Sequence, residues 1–222
     1  VDVKVWVGGE LAKSETDGWA GGFEIRGGGR FDVKMFVDRT REFFRAQGIY
    51  RKDEIAFDRD EMARVWCDGA AGLVLGRHGE ARCAKGEILT VRATGWDEAR
   101  IRVGAGGWLV PLGEGCFKLG STYEWERLDM EPSEAGLERL RRIAMKLGGA
   151  DFEIIAHEAG VRPILRRSEP LIGPMSEGGW MFNGLGSKGS LYAPGMARRL
   201  ALWMIEGQEP EWHFDIRAFR KL

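Results

Sequence analysis

The chain has 222 residues, 44% of them hydrophobic and 30% charged, enough to bury a sizeable core in one large domain or two small ones. Thirty-three basic residues against thirty-four acidic ones leave a formal charge of -1, so no global field draws the chain to nucleic acid or to an anionic membrane surface. No run approaches the ~20 apolar residues of a membrane span, and neither the three cysteines (Cys67, Cys83, Cys116) nor the three histidines (His78, His157, His213) have the spacing of a metal site, so a reduced, cytoplasmic protein without a metal is expected.

The chain opens at Val1, directly in a strand-like alternation of Val3, Val5 and Val7, and the expectation is that a further segment lies upstream. Glycines around Gly8, Gly9 and Gly18 separate this strand from later β-formers, and Gly27-Gly28-Gly29-Arg30 reads as a tight connection. From Asp32 the apolar period becomes helical: Val33, Phe36, Val37, Phe43 and Phe44 share a stripe, with Asp32 as N-cap and Gly48 as the stop. Arg64 to Cys67 reads as a short strand running into Asp68-Gly69-Ala70-Ala71-Gly72, a small-residue turn that permits close backbone approach. Four β-patterned runs follow, Glu87 to Ala93, Ala99 to Val103, Gly107 to Val110 and Cys116 to Tyr123, which suggest an antiparallel sheet. Pro132 and Ser133 introduce a second helix with Leu137, Leu140, Ala144 and Leu147 on its apolar side and Glu138, Arg141, Arg142 and Lys146 outside. Phe152 to Ala156 is a strand, Val161 to Leu165 and Pro170 to Gly173 are further short segments, and Trp180 to Phe182 is a strand that runs into Gly184-Leu185-Gly186-Ser187-Lys188-Gly189. The last helix is expected over about Ala193 to Glu206, with Pro194 in its first turn and Met196, Leu200, Trp203 and Met204 buried.

A strand, a GxGxxG turn and a helix in succession have physical meaning: the glycines admit close backbone approach, and the helix start offers free N–H groups and positive dipole to an electron-rich group. The second strand and ribose-binding acid of a dinucleotide fold do not follow, because the sequence ends at Leu222. A tight strand-to-helix turn with no ligand is the alternative.

Arg30-Phe31-Asp32-Val33, Lys118-Leu119-Gly120-Ser121-Thr122-Tyr123, Ala159-Gly160-Val161-Arg162-Pro163 and Phe182-Asn183-Gly184-Leu185-Gly186-Ser187-Lys188-Gly189 before Ala193-Pro194 occur in order. In that order they resemble the later part of the D-amino-acid oxidase family of flavoenzymes, nearest its glycine oxidase and sarcosine oxidase branch, over about Gly27 to Gly207. The resemblance implies an α+β fold derived from α/β: an antiparallel or mixed substrate-domain sheet with flanking helices, plus the C-terminal part of an FAD-binding Rossmann-like domain. It divides the chain into a discontinuous substrate-binding part, 1–60 and 86–150, and an FAD-binding remnant, 61–85 and 151–222. FAD is the implied cofactor. Asn183, Gly184, Leu185, Gly186, Ser187, Lys188 and Gly189 would lie along the flavin ring, with the helix dipole directed at its N1 and C2 carbonyl end, and Gly69 would meet the adenine-dinucleotide part. Arg162 would hold the substrate carboxylate, for which a guanidinium fork is chemically suited, and Tyr123 would stand beside flavin and substrate. A structural ion pair for Arg162 and a core position for Tyr123 are the competing assignments.

The implied activity is oxidation of a small amine or amino acid by hydride transfer to flavin N5, with no catalytic base named. The family's own opening strand, GxGxxG turn and helix are not found in residues 1–60, so this chain by itself is expected to hold flavin weakly or not at all, to be inactive, and to need its missing N-terminal segment or to self-associate. Two other functions stand beside the oxidase: a non-catalytic interaction domain that keeps the fold, and a tRNA-modifying flavoenzyme branch, which the near-neutral charge disfavours.

Overall fold

A computed structural model of the chain describes residues 2–7, 21–26, 29–53, 64–74, 82–165, 169–176, 178–211 and 214–219. It comprises two units, Val1–Lys52 and Asp53–Leu222. The expected loops around Gly8, Gly9 and Gly18 and the start of the Gly27–Arg30 connection lie outside the described residues.

In the first unit, strand β1 (Asp2–Val7) pairs antiparallel with β2 (Gly21–Arg26). Helix α1 (Val33–Ala46) begins where expected, because the Asp32 carboxylate accepts from the Met35 N–H at 2.9 Å and so satisfies one of the helix's orphan donors. Gly48, at φ +71°, takes the left-handed conformation just past the end. Among the described residues none of this helix is buried, and Phe36, Phe43 and Phe44 stay 40% or more exposed.

Among the described residues the second unit holds two sheets. The larger has strand order β5-β6-β7-β4-β8 and is antiparallel throughout; its strands are β4 (Ala84–Arg92), β5 (Arg102–Gly104), β6 (Gly107–Gly113), β7 (Cys116–Gly120) and β8 (Glu153–Arg162). Helix α3 (Glu134–Leu147) packs on one face of it, setting Leu140, Ile143, Ala144 and Leu147 against the side of the sheet that carries Leu89, Val91, Leu109, Phe117 and Leu119. Each of these nine side chains is at most 7% exposed, so this is the main core, and the arrangement matches the expected surface helix on an antiparallel sheet. The smaller sheet runs β3-β10-β9, with β10 (Trp180–Asn183) parallel to β3 (Val65–Trp66) and antiparallel to β9 (Leu171–Pro174). A six-residue helix, α2 (Gly69–Val74), follows β3, and helix α4 (Gly189–Glu206) follows β10. Met196, Leu200 and Trp203 of α4 pack with Ile172 of β9.

Several expected elements have different limits. The turn at Asp68–Gly72 winds into α2, because small residues there meet no steric obstacle to helical backbone. Strand β4 starts at Ala84 and not at Glu87, carrying two charged residues into the interior. Strand β7 stops at Gly120, so Tyr123 stands in the loop after it; there the Thr122 hydroxyl, accepting from the Glu87 N–H at 2.9 Å, stands in for a ladder carbonyl. The separate segments expected around 152–156 and 161–165 are largely one strand, β8. Helix α4 begins at Gly189, which puts Pro194 in its sixth position and not in the first turn; the carbonyl of Ser190, deprived of its usual partner, lies on an exposed part of the helix.

Lys85 and Glu87 are the charged residues that β4 brings inside, 1% and 2% exposed. Lys85 Nζ pairs with Asp129 Oδ1 at 2.5 Å and also donates to the Glu131 carbonyl, and this bond holds the Asp129 carboxyl down at a pKa of about 2. Glu87 accepts from the Ser133 N–H (3.0 Å), the Ser133 hydroxyl (2.7 Å) and His157 Nε2 (2.8 Å). Burial alone would raise the Glu87 pKa, but the bonds from Ser133 and His157 outweigh it and hold the carboxyl below its ordinary 4.5. The carboxylate thus sits on the amino end of α3, and Gly136 makes room for it: a Cβ there would come within 2.2 Å of Glu87 Oε2.

Gly136→Ala should therefore cost about 2 kcal/mol in urea unfolding by overpacking this junction; an unchanged midpoint would contradict the tight fit. Because the Glu87 pKa is depressed on folding, its contribution is present above the unfolded value near 4.5 and is lost as pH falls through the folded value. Between pH 5 and about 3 the wild type should lose more stability than Glu87→Gln, measured by urea unfolding across that range.

Candidate functional site

Arg162 is the last residue of β8 and pairs across the ladder with Ala84. Its side chain folds over Gly86, where a Cβ would lie 1.9 Å from Nη2, so a bare backbone is needed for the guanidinium to occupy this position. Nη1 donates to the Thr122 carbonyl at 3.1 Å and Nη2 to the Ser121 hydroxyl at 2.7 Å. The guanidinium carbon lies 4.3 Å from the centre of the Tyr123 ring, a cation–π distance. Burial pulls the Arg162 pKa below its ordinary value, and Tyr123 opposes that shift. Among the described residues no carboxylate forms an ion pair with Arg162, and its five N–H donors exceed the two that these bonds use.

The glycine turn is built just beyond the end of β10. Gly184 (φ +78°) and Gly186 (φ +56°) both take left-handed backbone, and a Cβ on Gly184 would strike the Leu165 side chain at 2.4 Å. Gly186–Lys188 is one 3-10 turn that leads into α4. Neither the turn nor the 18-residue helix has a side-chain cap, and no acidic residue occupies the helix's first turn. Its leading N–H groups are therefore without intrahelical acceptors while the dipole is positive. Ser187 and Lys188 are exposed, and Leu185, Gly186 and Gly189 are half-buried.

Two connections bring this turn to Arg162. The Gly186 N–H donates at 2.9 Å to the carbonyl of Pro163, the residue that follows Arg162. The hydroxyls of Tyr123 and Ser187 lie 2.7 Å apart, and Tyr123 is the ring against which the guanidinium rests. Asn183 braces the turn from within: its Nδ2 donates to Asp68 Oδ1 (2.9 Å) and to the Gly69 carbonyl (3.0 Å), while its Oδ1 accepts from the Gly184 N–H (2.7 Å). Its side chain is thus committed to the protein, and it draws Gly69 to the same end of the small sheet. Gly69, at φ +56°, has nothing within 4 Å of where a Cβ would stand.

Arg162, Tyr123, Ser187 and the turn are accordingly one locality, and Gly69 adjoins it through Asn183. Ser121, Thr122 and Gly86 complete the seat of the guanidinium and were not singled out from the sequence for a role in the site. Gly86 did carry a signal, a lone glycine between two charged residues of a strand, which marks close approach of another group.

Comparison with known proteins gives the family. The family model for DAO, FAD dependent oxidoreductase, matches residues 1–203. The chain belongs to that family, whose cofactor is FAD. It is 32% identical over 130 residues to glycine oxidase of Pseudomonas aeruginosa, a match covering 57% of this chain and 35% of the relative. Glycine oxidase of Pseudomonas putida is 28% identical over 171 residues, covering 74% of this chain and 45% of that protein. A tRNA 5-methylaminomethyl-2-thiouridine biosynthesis bifunctional protein of Burkholderia mallei is 29% identical over 107 residues, 46% of this chain and 16% of that protein. The matched region thus spans less than half the length of each of these relatives. Among solved structures, glycine oxidase from Geobacillus kaustophilus has the same fold with a TM-score of 0.78 at 23% identity, covering 98% of this chain and 66% of that one. Iminodiacetate oxidase from Chelativorans sp. BNC1 gives 0.78 at 19% identity, covering 94% and 64%.

Asn183→Leu keeps the branching of the side chain but removes three hydrogen bonds and leaves the Gly184 N–H without its acceptor. It should lower stability by about 2 kcal/mol in urea unfolding. A loss below a few tenths would mean that Asn183 is no brace.

Proposed function

We propose that this chain supplies the substrate-carboxylate site and the flavin-ring side of an FAD-dependent oxidoreductase acting on a small amine or amino acid. The observation that carries the reading is Arg162: a half-buried guanidinium with no carboxylate partner among the described residues, resting on a tyrosine whose hydroxyl reaches the glycine turn. Burying an unpaired charge is costly, so an anion arriving with the ligand is the economical explanation. The domain division proposed is 1–60 with 86–150 for substrate and 61–85 with 151–222 for cofactor; β8, paired with β4 in the large sheet, carries Arg162 at its end.

The uncapped start of α4 fits an electron-rich ring edge, and the left-handed Gly184 and Gly186 let the backbone come close to it. Asn183 to Gly189 are the residues proposed to line the flavin, with Gly69 toward its dinucleotide part. FAD, when bound, supplies the electron acceptor, N5. Arg162 fixes the substrate by its carboxylate and, by holding one end of a small molecule, sets the direction of its Cα–H bond. The chemistry FAD would supply there is acceptance of a hydride from Cα, with the lone pair of the neutral amine forming the C=N bond of the product. Tyr123 packs against the guanidinium and excludes water from that side of it. Lys188, a cation in the turn, favours negative charge on the reduced cofactor.

In the full-length protein with FAD, Arg162→Ala should raise KM for an amino-acid substrate by on the order of a hundredfold, about 3 kcal/mol, and leave KM for the amine lacking a carboxylate unchanged. Gly86→Ala should act in the same direction, because the added Cβ would take the space that the guanidinium occupies. If KM for the carboxylate substrate stays at the wild-type value in Arg162→Ala, Arg162 is not the carboxylate site.

A further inference from the structure

One cleft of the second unit has no part in the reading above. It is an open groove of about 360 Å3 where the turn at Gly106, the segment Ser121–Tyr123 and helix α3 meet. From the helix, Arg139, Arg142 and Lys146 all line it, and among the described residues no acidic one does. Their spacing of three and then four residues places them on one helical stripe, where like charges repel each other. Their contacts within the protein are few: Arg139 Nη1 reaches the Tyr123 carbonyl at 3.4 Å and its charge acts on the Glu124 carboxylate, and Arg142 stands 3.9 Å from Glu138 with both side chains mostly exposed. Ser121, Thr122 and Tyr123 also line it, and these are the residues that seat the Arg162 guanidinium. A basic cleft thus shares residues with the Arg162 site.

We propose that this cleft is a second anion subsite, taking a carboxylate or phosphate group beside the amine site. An anion there offsets the repulsion along the stripe, and the two guanidinium groups provide forked donors with the Lys146 ammonium as a point charge. The subsite relies on the reading of Arg162 only for its neighbourhood to a substrate, not for its affinity. Its chemistry admits two sources, a second acidic group on the amino-acid substrate or a free small anion.

The experiment titrates inorganic phosphate into the full-length FAD protein by calorimetry at low ionic strength, in an Arg162→Ala background so that only this cleft is read. Saturable binding is expected, weakened on the order of tenfold by Arg142→Gln/Lys146→Gln and unchanged by Arg141→Gln, which lies on the same helix beside a different groove. Absence of saturable binding, or equal binding by the double variant, overturns the proposal. Circular dichroism checks that these exposed substitutions leave the fold intact. The source is read with Arg162 present, from kcat/KM for an amino acid with a side-chain carboxylate relative to its side-chain amide. A fall in that ratio on the order of tenfold in the double variant assigns the subsite to the substrate. An unchanged ratio together with weakened phosphate binding assigns it to a free anion. Failure of the Arg162 reading would show separately, as an unaltered KM in Arg162→Ala.

Discussion

The site depends on how a single guanidinium is accommodated. Arg162 can lie over the sheet only because residue 86 has no side chain, and it stays there because Ser121, the Thr122 carbonyl and the Tyr123 ring hold it. Those three positions are consecutive, in the loop that follows β7, so one short segment fixes both the hydrogen bonds and the stacking face. The same segment reaches the glycine turn through Tyr123 and Ser187, and the chain just after Arg162 reaches it through Pro163 and Gly186. A shift in the β4–β7–β8 register would break all of these at once.

That register is secured on the opposite face of the sheet. Glu87 takes three hydrogen bonds from Ser133 and His157, and Lys85 ties β4 to Asp129, so the amino end of α3 is bound to the strand whose next glycine seats the arginine. Buried charges of this kind contribute little net stability when fully paired, yet removing one partner is costly. Their effect is specificity of alignment: Gly86 lies between Lys85 and Glu87, so holding its neighbours on one face holds it beneath the guanidinium on the other.

Much of this was legible in the sequence where local chemistry decides. Asp32 and Ser133 cap their helices as their residue types predict, and the apolar stripe of α3 is the face that it buries. Four segments in order, from Arg30-Phe31 to the string ending at Gly189, suggest the family, and the geometry brings two of them, Arg162-Pro163 and the glycine turn, together. What could not be read was decided by distant partners. Lys85 and Glu87 have the look of surface residues, and only Asp129, Ser133 and His157, forty or more positions away, make their burial tolerable. Pro194 suggested a helix start, but the 3-10 turn at Gly186 begins winding earlier and carries the helix through the proline.

The central claim is that Arg162 and the amino end of α4 serve one cleft, with a carboxylate at the first and the flavin ring at the second. It is tested most directly by titrating a non-oxidisable carboxylate, such as acetate, into the full-length FAD protein and recording the visible flavin spectrum. The account predicts a saturable perturbation of the flavin bands that disappears in Arg162→Ala. A spectrum unmoved by the carboxylate, or moved equally in the variant, would contradict it.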